Sequence, residues 1–488
     1  MNIYLILQMA SEAMGEREAI VAGETRLTYA DLDIAARRVA AKVQSGQRLS
    51  YLAENSPAMP AAIFGAALAG TPFVPINYRL AEEQIDALLA RVTPALLISE
   101  HEKQYTDIDL INYSNAISGE AMEGEAPDVD EGVAIELFTS GTTGEPKSAI
   151  LRHDNLMAYI LGSVEFMSAG EDEAALISVP PYHIAGISAV LSSTYAGRKM
   201  VQLPNFSAEA WIDLAKAEDI THAFVVPTML QQIIEHVGKT GEVLDLPNLL
   251  ALSYGGGKMP LAVIVKAIET LPHVSFTNAY GLTETSSTIC LLDPDDHRAA
   301  IESDDPKIRR RLASVGRALP SVELLVRSDD GNTCLPEETG MVFVRGDQVS
   351  GEYKGVGSQL EDDGWFPTRD VGFVDAEGYL FLDGRADDVI VRGGENISPG
   401  EVEDVLITHD GVRDVAVVAV ADEQWGEAVG AAIVCNGAPP NEDELCALVK
   451  DKLRSSRVPS KIIFVEELPY TETGKLLRRV LRDQLAGV

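Results

Sequence analysis

The chain is short of cysteine, of positive charge and of long apolar runs. Its four cysteines, Cys290, Cys334, Cys435 and Cys446, are widely scattered, and their spacing offers neither a zinc site nor a disulfide framework. A reducing, cytoplasmic setting is the expectation. Lysine and arginine number 39 against 75 acids, a net charge of −36. Such a surface argues against binding nucleic acid, and it requires any phosphate site to be locally basic against the global field. No stretch approaches an uninterrupted apolar run of about 18 residues, the length of a membrane-spanning helix, so no integral membrane segment is expected. The apolar residues 1–9 lack a basic flank and are followed by acids, which does not fit a signal peptide. What the chain has in quantity is apolar residues, 46% of 488, enough to build two or three cored units.

The most informative stretch is Phe138-Thr139-Ser140-Gly141-Thr142-Thr143-Gly144-Glu145-Pro146-Lys147-Ser148, set between apolar, strand-like runs at 133–138 and 149–151. Glycines let several backbone N–H groups converge, hydroxyls add donors without bulk, and the lysine adds one charge; together these suit a polyphosphate cradle. The same composition also suits an ordinary turn between two strands. A Walker A loop is excluded, because Pro146 rather than glycine precedes Lys147 and strand-like residues follow.

Short apolar runs alternate with helical ones along most of the chain. Thr28 and Asp31 read as a capping box opening a helix to about residue 43. Strands are expected at 49–52, 73–76, 96–98, 175–179, 223–226, 250–254 and 274–277, with helices at 57–69, 81–91, 187–196, 208–217, 228–237 and 261–271. This is an α/β pattern. Three strand ends deliver unusual loops: Pro180-Pro181-Tyr182-His183, Gly255-Gly256-Gly257, and Asn278-Ala279-Tyr280-Gly281-Leu282-Thr283-Glu284-Thr285. Ligands of open α/β sheets bind at such ends. From about 314 short strands and Asp-Gly or Glu-Gly turns take over, a β-rich subdomain over about 314–384. After Gly384 comes a further α+β stretch. Its helix start is Ser398-Pro399-Gly400-Glu401, and a basic helix begins at Lys475.

Six stretches now stand in one order: 139–147, Pro181-Tyr182-His183-Ile184-Ala185-Gly186, Tyr280-Gly281-Leu282-Thr283-Glu284, Thr368-Arg369-Asp370-Val371-Gly372, Gly384-Arg385-Ala386-Asp387-Asp388 and Pro469-Tyr470-Thr471-Glu472-Thr473-Gly474-Lys475. Together they resemble the adenylate-forming superfamily of acyl-CoA synthetases, peptide-synthetase adenylation domains and firefly luciferase, and acid–CoA ligases most closely. The resemblance implies a large N-terminal AMP-binding domain, 1–384, of two α/β sheets plus a β-barrel subdomain, and a small mobile α+β C-terminal domain, 385–488. Ser148 and Arg369 stand where the family usually has glycine, and the stretch after Gly351-Glu352-Tyr353 is shorter than usual.

The resemblance also implies roles. Thr139, Ser140, Gly141, Thr142, Thr143, Gly144 and Lys147 would hold the ATP phosphates. Gly255, Gly256, Asn278, Ala279, Tyr280, Gly281 and Thr283 would surround the nucleotide, with Tyr280 stacked on adenine and Thr283 at the α-phosphate. Glu284 would bind Mg²⁺. Asp370, helped by Arg385, would hold the ribose hydroxyls. Lys475 would be the catalytic lysine, with Thr283, Glu284 and His183 beside the chemistry. Arg392, Gly393, Gly394 and Trp425 would meet coenzyme A, and Asp387 would be the hinge. The acyl pocket would be walled by His183, Ile184, Gly186, Ser253, Gly255, Gly256 and Gly257. No fixed basic side chain among them demands a dicarboxylate, so a neutral acid, aromatic or medium-chain, is favoured. The expected activity is an ATP-dependent acid–CoA ligase. A stand-alone enzyme loading a carrier protein and a non-catalytic nucleotide-binding relative are the alternatives, and a homodimer is left open.

Overall fold

The computed structural model describes residues 1–127, 132–139, 146–241, 243–422, 424–470 and 476–487. The chain forms two compact units, one of residues 1–323 with 344–366 and one of 324–343 with 367–488.

Two sheets organise the first unit. The nine-stranded sheet has a parallel centre of Lys199–Gln202, Ala174–Ile177, His222–Val225, Ala251–Gly255 and Ser275–Leu282, continued antiparallel by Ser287–Leu292. The eight-stranded sheet carries Arg48–Leu52, Phe73–Pro75, Val133–Thr139 and Lys147–Arg152 at its middle, and its edge is the pair Glu352–Tyr353 and Gly357–Ser358. One core joins side chains of both sheets to helices Tyr4–Met14, Tyr29–Ala40, Ala58–Leu68 and Ile184–Ala196. Every residue of Ala58–Leu68 is buried, as expected of a helix apolar all round. A second core, including Trp211, Leu230, Tyr254 and Ile264, covers the other face of the nine-stranded sheet.

The second unit contains most of a four-stranded sheet, ordered Glu323–Arg327, Gly340–Arg345, Phe366–Val374, Leu380–Arg385. It also holds a five-stranded sheet centred on Val412–Asp422 and Gly426–Cys435. Helices Pro399–Leu406 and Glu442–Lys452 pack into one core on that sheet, and Arg478–Ala486 into another.

The capping box forms as read, with Asp31 N–H on the Thr28 hydroxyl at 3.1 Å and Thr28 N–H on the Asp31 carboxylate at 3.0 Å. Ser398 departs from expectation: its hydroxyl donates to the Asp383 carbonyl at 2.6 Å and does not cap the helix that follows. The C-terminal helix starts at Arg478, three residues later than expected. The stretch 278–282, expected as a loop, continues its strand, because Ser287–Leu292 returns beside it and pairs its backbone. No helix among the described residues is long and apolar enough to cross a membrane.

Burial lowers the pKa of four histidines, His297 among them, and that of three falls far. Burial is the largest cause at His153, His183 and His222, and it brings each from 6.5 to about 4. His153 Nδ1 also accepts from the Ile3 N–H at 3.2 Å, a bond that protonation would remove. Folded-state values below the unfolded one mean that the unfolded chain takes up protons first as pH falls. The stability these three groups contribute is therefore constant above 6.5 and is lost from there towards 4. The urea midpoint is expected to be lower at pH about 5 than at about 7.5, and His153→Asn, which keeps an acceptor, to narrow the gap. Equal midpoints would contradict it.

Candidate active site

The hairpin expected to cradle phosphates has its stem in the eight-stranded sheet. Thr139 lies opposite Lys147 and Phe138 opposite Ser148. Ser140, Gly141, Thr142, Thr143 and Gly144 lie outside the described residues. Arg91 braces the stem, donating from Nη1 to the Pro146 carbonyl at 2.8 Å with its guanidinium 5.2 Å from the Phe138 ring centroid. Lys147 places Nζ 5.5 Å from the centroid of the Tyr353 ring. Ser148 is buried, and its hydroxyl has no hydrogen-bond partner among the described residues.

Across the first unit, the strand Ser275–Leu282 runs into a single 3-10 turn, Thr283–Thr285, from which Ser287–Leu292 returns. The turn is fixed from several sides. Thr285 Oγ1 accepts from Leu282 N–H at 3.0 Å and donates to the Ser287 carbonyl at 2.8 Å. Gln348 Nε2 donates to the carbonyls of Thr285 and Thr288 at 3.1 and 2.8 Å. The Glu284 carbonyl accepts from the N–H groups of Ser350 and Gly351 at 2.9 and 3.0 Å, and its carboxylate accepts from the Tyr353 hydroxyl. Asn278 turns inward to the Ser314 carbonyl at 3.1 Å. Tyr280, Thr283 and Glu284 are all half-buried, within reach of solvent.

Two glycines let backbones approach here. A Cβ on Gly281 would stand 1.8 Å from the Ser287 carbonyl oxygen, and one on Gly255 2.1 Å from that of Ala279. Gly256 differs: its φ is +83°, yet the nearest atom to an added Cβ is 3.6 Å away. His183 precedes the helix Ile184–Ala196. Burial, then the charge of Arg79, hold its imidazole neutral, and the Tyr182 ring lies 4.6 Å from it. Gly186 packs on the Pro180 carbonyl, 2.7 Å from a would-be Cβ. Ser253 is half-buried in its strand between Phe224 and Thr277, and Gly257 is exposed.

Within the second unit, Asp370 and Arg385 face each other on neighbouring strands, Oδ1 to Nη1 3.2 Å, with Asp370 buried. Arg369, where glycine was expected, adopts φ +63° and points Nη1 at Asp387, 3.8 Å away. Asp387 belongs to the 3-10 turn Ala386–Asp388, whose carbonyl and carboxylate groups also receive Arg482. The four residues expected to meet coenzyme A do come together. Gly393 and Gly394, at φ +59° and +85°, turn the hairpin between Arg392 and Glu395. Gly393 N–H donates to the Trp425 carbonyl at 2.9 Å, and a Cβ on Gly393 would meet the Trp425 ring at 2.7 Å. Arg392 Nη1 reaches the Ser456 carbonyl at 2.6 Å. Lys475 lies outside the described residues; Tyr470 and Leu476 form an antiparallel bridge.

Sequence reasoning missed Arg91, Gln348 and Tyr353. Only Tyr353 had a signal, because it closes the short Gly351-Glu352-Tyr353 stretch. The glycine contacts give a direct test. Gly281→Ala is expected to cost about 1–3 kcal/mol by overpacking, and Gly256→Ala only the smaller cost of a strained φ, about 1 kcal/mol. Urea unfolding measures both; the reverse ranking would contradict the contact at Gly281.

Comparison with known proteins supplies the family. Residues 7–354 match the AMP-binding enzyme family and residues 401–475 the AMP-binding enzyme C-terminal domain. The chain is 32% identical to a feruloyl-CoA synthase of an Amycolatopsis species over 95% of both chains. It is 30% identical to a 2-succinylbenzoate–CoA ligase of Bacillus cereus over 96% of this chain and 95% of the other. Its fold is similar to that of o-succinylbenzoate CoA synthetase from Bacillus subtilis in complex with an acyl-adenylate intermediate, with a TM-score of 0.85, 28% identity and 98% of both chains covered. The same enzyme in complex with ATP and magnesium ion gives 0.83 at 27% identity, again over 98% of both chains. With nearly the whole chain aligned and the motif residues on the strand ends and turns just described, the protein belongs to the AMP-binding, adenylate-forming family of acid–CoA ligases.

Proposed function

We propose that this enzyme activates a neutral aromatic carboxylic acid. The reaction class follows from the family: acid and ATP give an acyl-adenylate and pyrophosphate, and coenzyme A then takes the acyl group as a thioester, releasing AMP. A free carboxylate is a poor acyl donor because oxide would have to leave; bound to AMP it has a good leaving group. The protein's task is to hold two anions together and to stabilise the charge that moves to pyrophosphate.

The choice of acid is carried by His183. Burial keeps its imidazole neutral down to about pH 4, so it offers a second carboxylate no counter-charge. Ile184, Gly186 and Ser253 add no charge either. The name of one relative, feruloyl-CoA synthase, denotes an aromatic monocarboxylate and supports the same reading; that of another, 2-succinylbenzoate–CoA ligase, denotes an aromatic dicarboxylate and supports the aromatic part alone.

The remaining roles are proposed on the motif positions. The stretch 139–147 takes the outer phosphates, Tyr280 the adenine and Thr283 the α-phosphate. Asp370, oriented by Arg385, accepts from the ribose hydroxyls; two carboxylate oxygens match two vicinal donors. Among the described residues no group of three His, Cys, Asp or Glu side chains could hold a metal unaided. A single half-buried carboxylate, Glu284, fits magnesium, which takes one carboxylate along with phosphate oxygens and waters. Magnesium there would neutralise phosphate charge. Lys475 supplies the cation at the reacting carboxylate, Arg392, Gly393, Gly394 and Trp425 receive the coenzyme, and Asp387 is the hinge of a C-terminal domain 385–488. A cytoplasmic location completes the reading.

The test is AMP formation over a panel of carboxylic acids. Aryl monocarboxylates are expected to show the highest kcat/KM, and matching dicarboxylates to fall at least about a hundredfold lower, since a buried carboxylate without a partner is strongly disfavoured. A dicarboxylate as the preferred substrate would overturn the reading.

A further inference from the structure

Lys147 and Glu284 come from two motifs far apart in sequence, and one side chain touches both. The Tyr353 hydroxyl donates to the Glu284 carboxylate, and the face of its ring carries the Lys147 ammonium 5.5 Å from the centroid. Tyr353 lies in none of the six motif stretches. It ends the two-residue strand Glu352–Tyr353, opposite Ala149.

That short strand is firmly seated. Glu352 takes a two-point ion pair from Arg152, at 2.9 and 3.0 Å. Lys354 N–H donates to the Ser148 carbonyl at 2.9 Å, and its ammonium reaches the buried Glu136 carboxylate at 2.8 Å. On its other side Ser350 and Gly351 grip the Glu284 carbonyl. The five residues 350–354 therefore hold the strand leaving the phosphate loop and the turn bearing Glu284 at once.

We infer that Tyr353 is a positioning residue for the metal-bound triphosphate: it sets the Lys147 ammonium and the Glu284 carboxylate at one spacing. The inference rests on the proposed phosphate and metal roles of those two residues. Two physical effects support it. A hydroxyl bound to Oε1 restricts the carboxylate to few rotamers and leaves Oε2 for the metal. A phenol that donates to an anion gains electron density on its ring, which strengthens its hold on the ammonium above. Losing one contact thus weakens the other, and cation and carboxylate act as a pair.

The test uses the full chain with Tyr353→Phe, Tyr353→Leu and Glu284→Gln. Mn²⁺ binding in the presence of ATP is read by electron paramagnetic resonance, and ATP binding with and without metal by calorimetry. Tyr353→Phe is expected to weaken metal binding by about 10- to 100-fold, the usual cost of removing a partner of a metal-binding carboxylate. It should leave metal-free ATP binding nearly intact. Tyr353→Leu, which also removes the ring, is expected to weaken metal-free ATP binding by roughly two- to fivefold more. Wild-type metal affinity in Tyr353→Phe, alongside a loss in Glu284→Gln, would overturn the inference alone. Wild-type metal affinity in Glu284→Gln would overturn the metal role of Glu284 and the inference with it. An equal loss of ATP binding with and without metal in Tyr353→Phe would mean that Tyr353 is only structural.

Discussion

Two anions, a carboxylate and a triphosphate, have to meet inside a molecule that carries a net charge of −36. Each cation and carboxylate at that point must therefore be fixed in place, because a mobile cation would find a surface acid. The segment 350–354 answers this constraint in the first unit. Lys354 spends its charge on Glu136, which Arg48 also neutralises at 3.2 Å, so that buried acid is paired twice. Lys147 is parked on an aromatic face instead, a partner that holds an ammonium without cancelling its charge. Against a strongly acidic background, an aromatic rest would keep Lys147 available for the phosphate role proposed for it.

The second unit handles its charges by pairing them. Arg385 sits on Asp370, and Arg478 and Arg482 sit on Asp388 at 3.5 and 3.2 Å. Arg478 is largely buried and also binds Glu403, so its charge is a structural anchor for the C-terminal helix. Arg392 points to a backbone carbonyl, and no carboxylate among the described residues pairs with it; the carbonyl of the exposed Trp425 holds the neighbouring Gly393 N–H. Surface ion pairs such as Arg369 with Asp387 add little stability, and their interest lies in where they sit.

Much of this was legible in the sequence. Alternating apolar runs revealed four of the five strands in the parallel centre of the nine-stranded sheet, Lys199–Gln202 being missed, and the helix Ala208–Ala217 forms at the residues expected. Other elements were hidden for physical reasons. The helix Tyr4–Met14 has no side-chain cap and few polar residues to show a period. The helix His153–Ser163 begins after Arg152, whose type announces no cap, while Asn155 does the capping from within. The strand Glu352–Tyr353 could not be read, since two residues carry no period and its partner strand is 200 residues away. For the same reason the motifs named Lys147 and Glu284 but not the tyrosine between them: local patterns report what a residue is, and only the long-range pairing of strands reports what it touches.

Attack of the acid on the α-phosphate of ATP can be followed with acid labelled in both carboxylate oxygens with ¹⁸O. An acyl-adenylate route places one labelled oxygen in the released AMP and one in the thioester, with none in pyrophosphate. Label in the other phosphorus product, or AMP free of it while thioester forms, would contradict an acyl-adenylate.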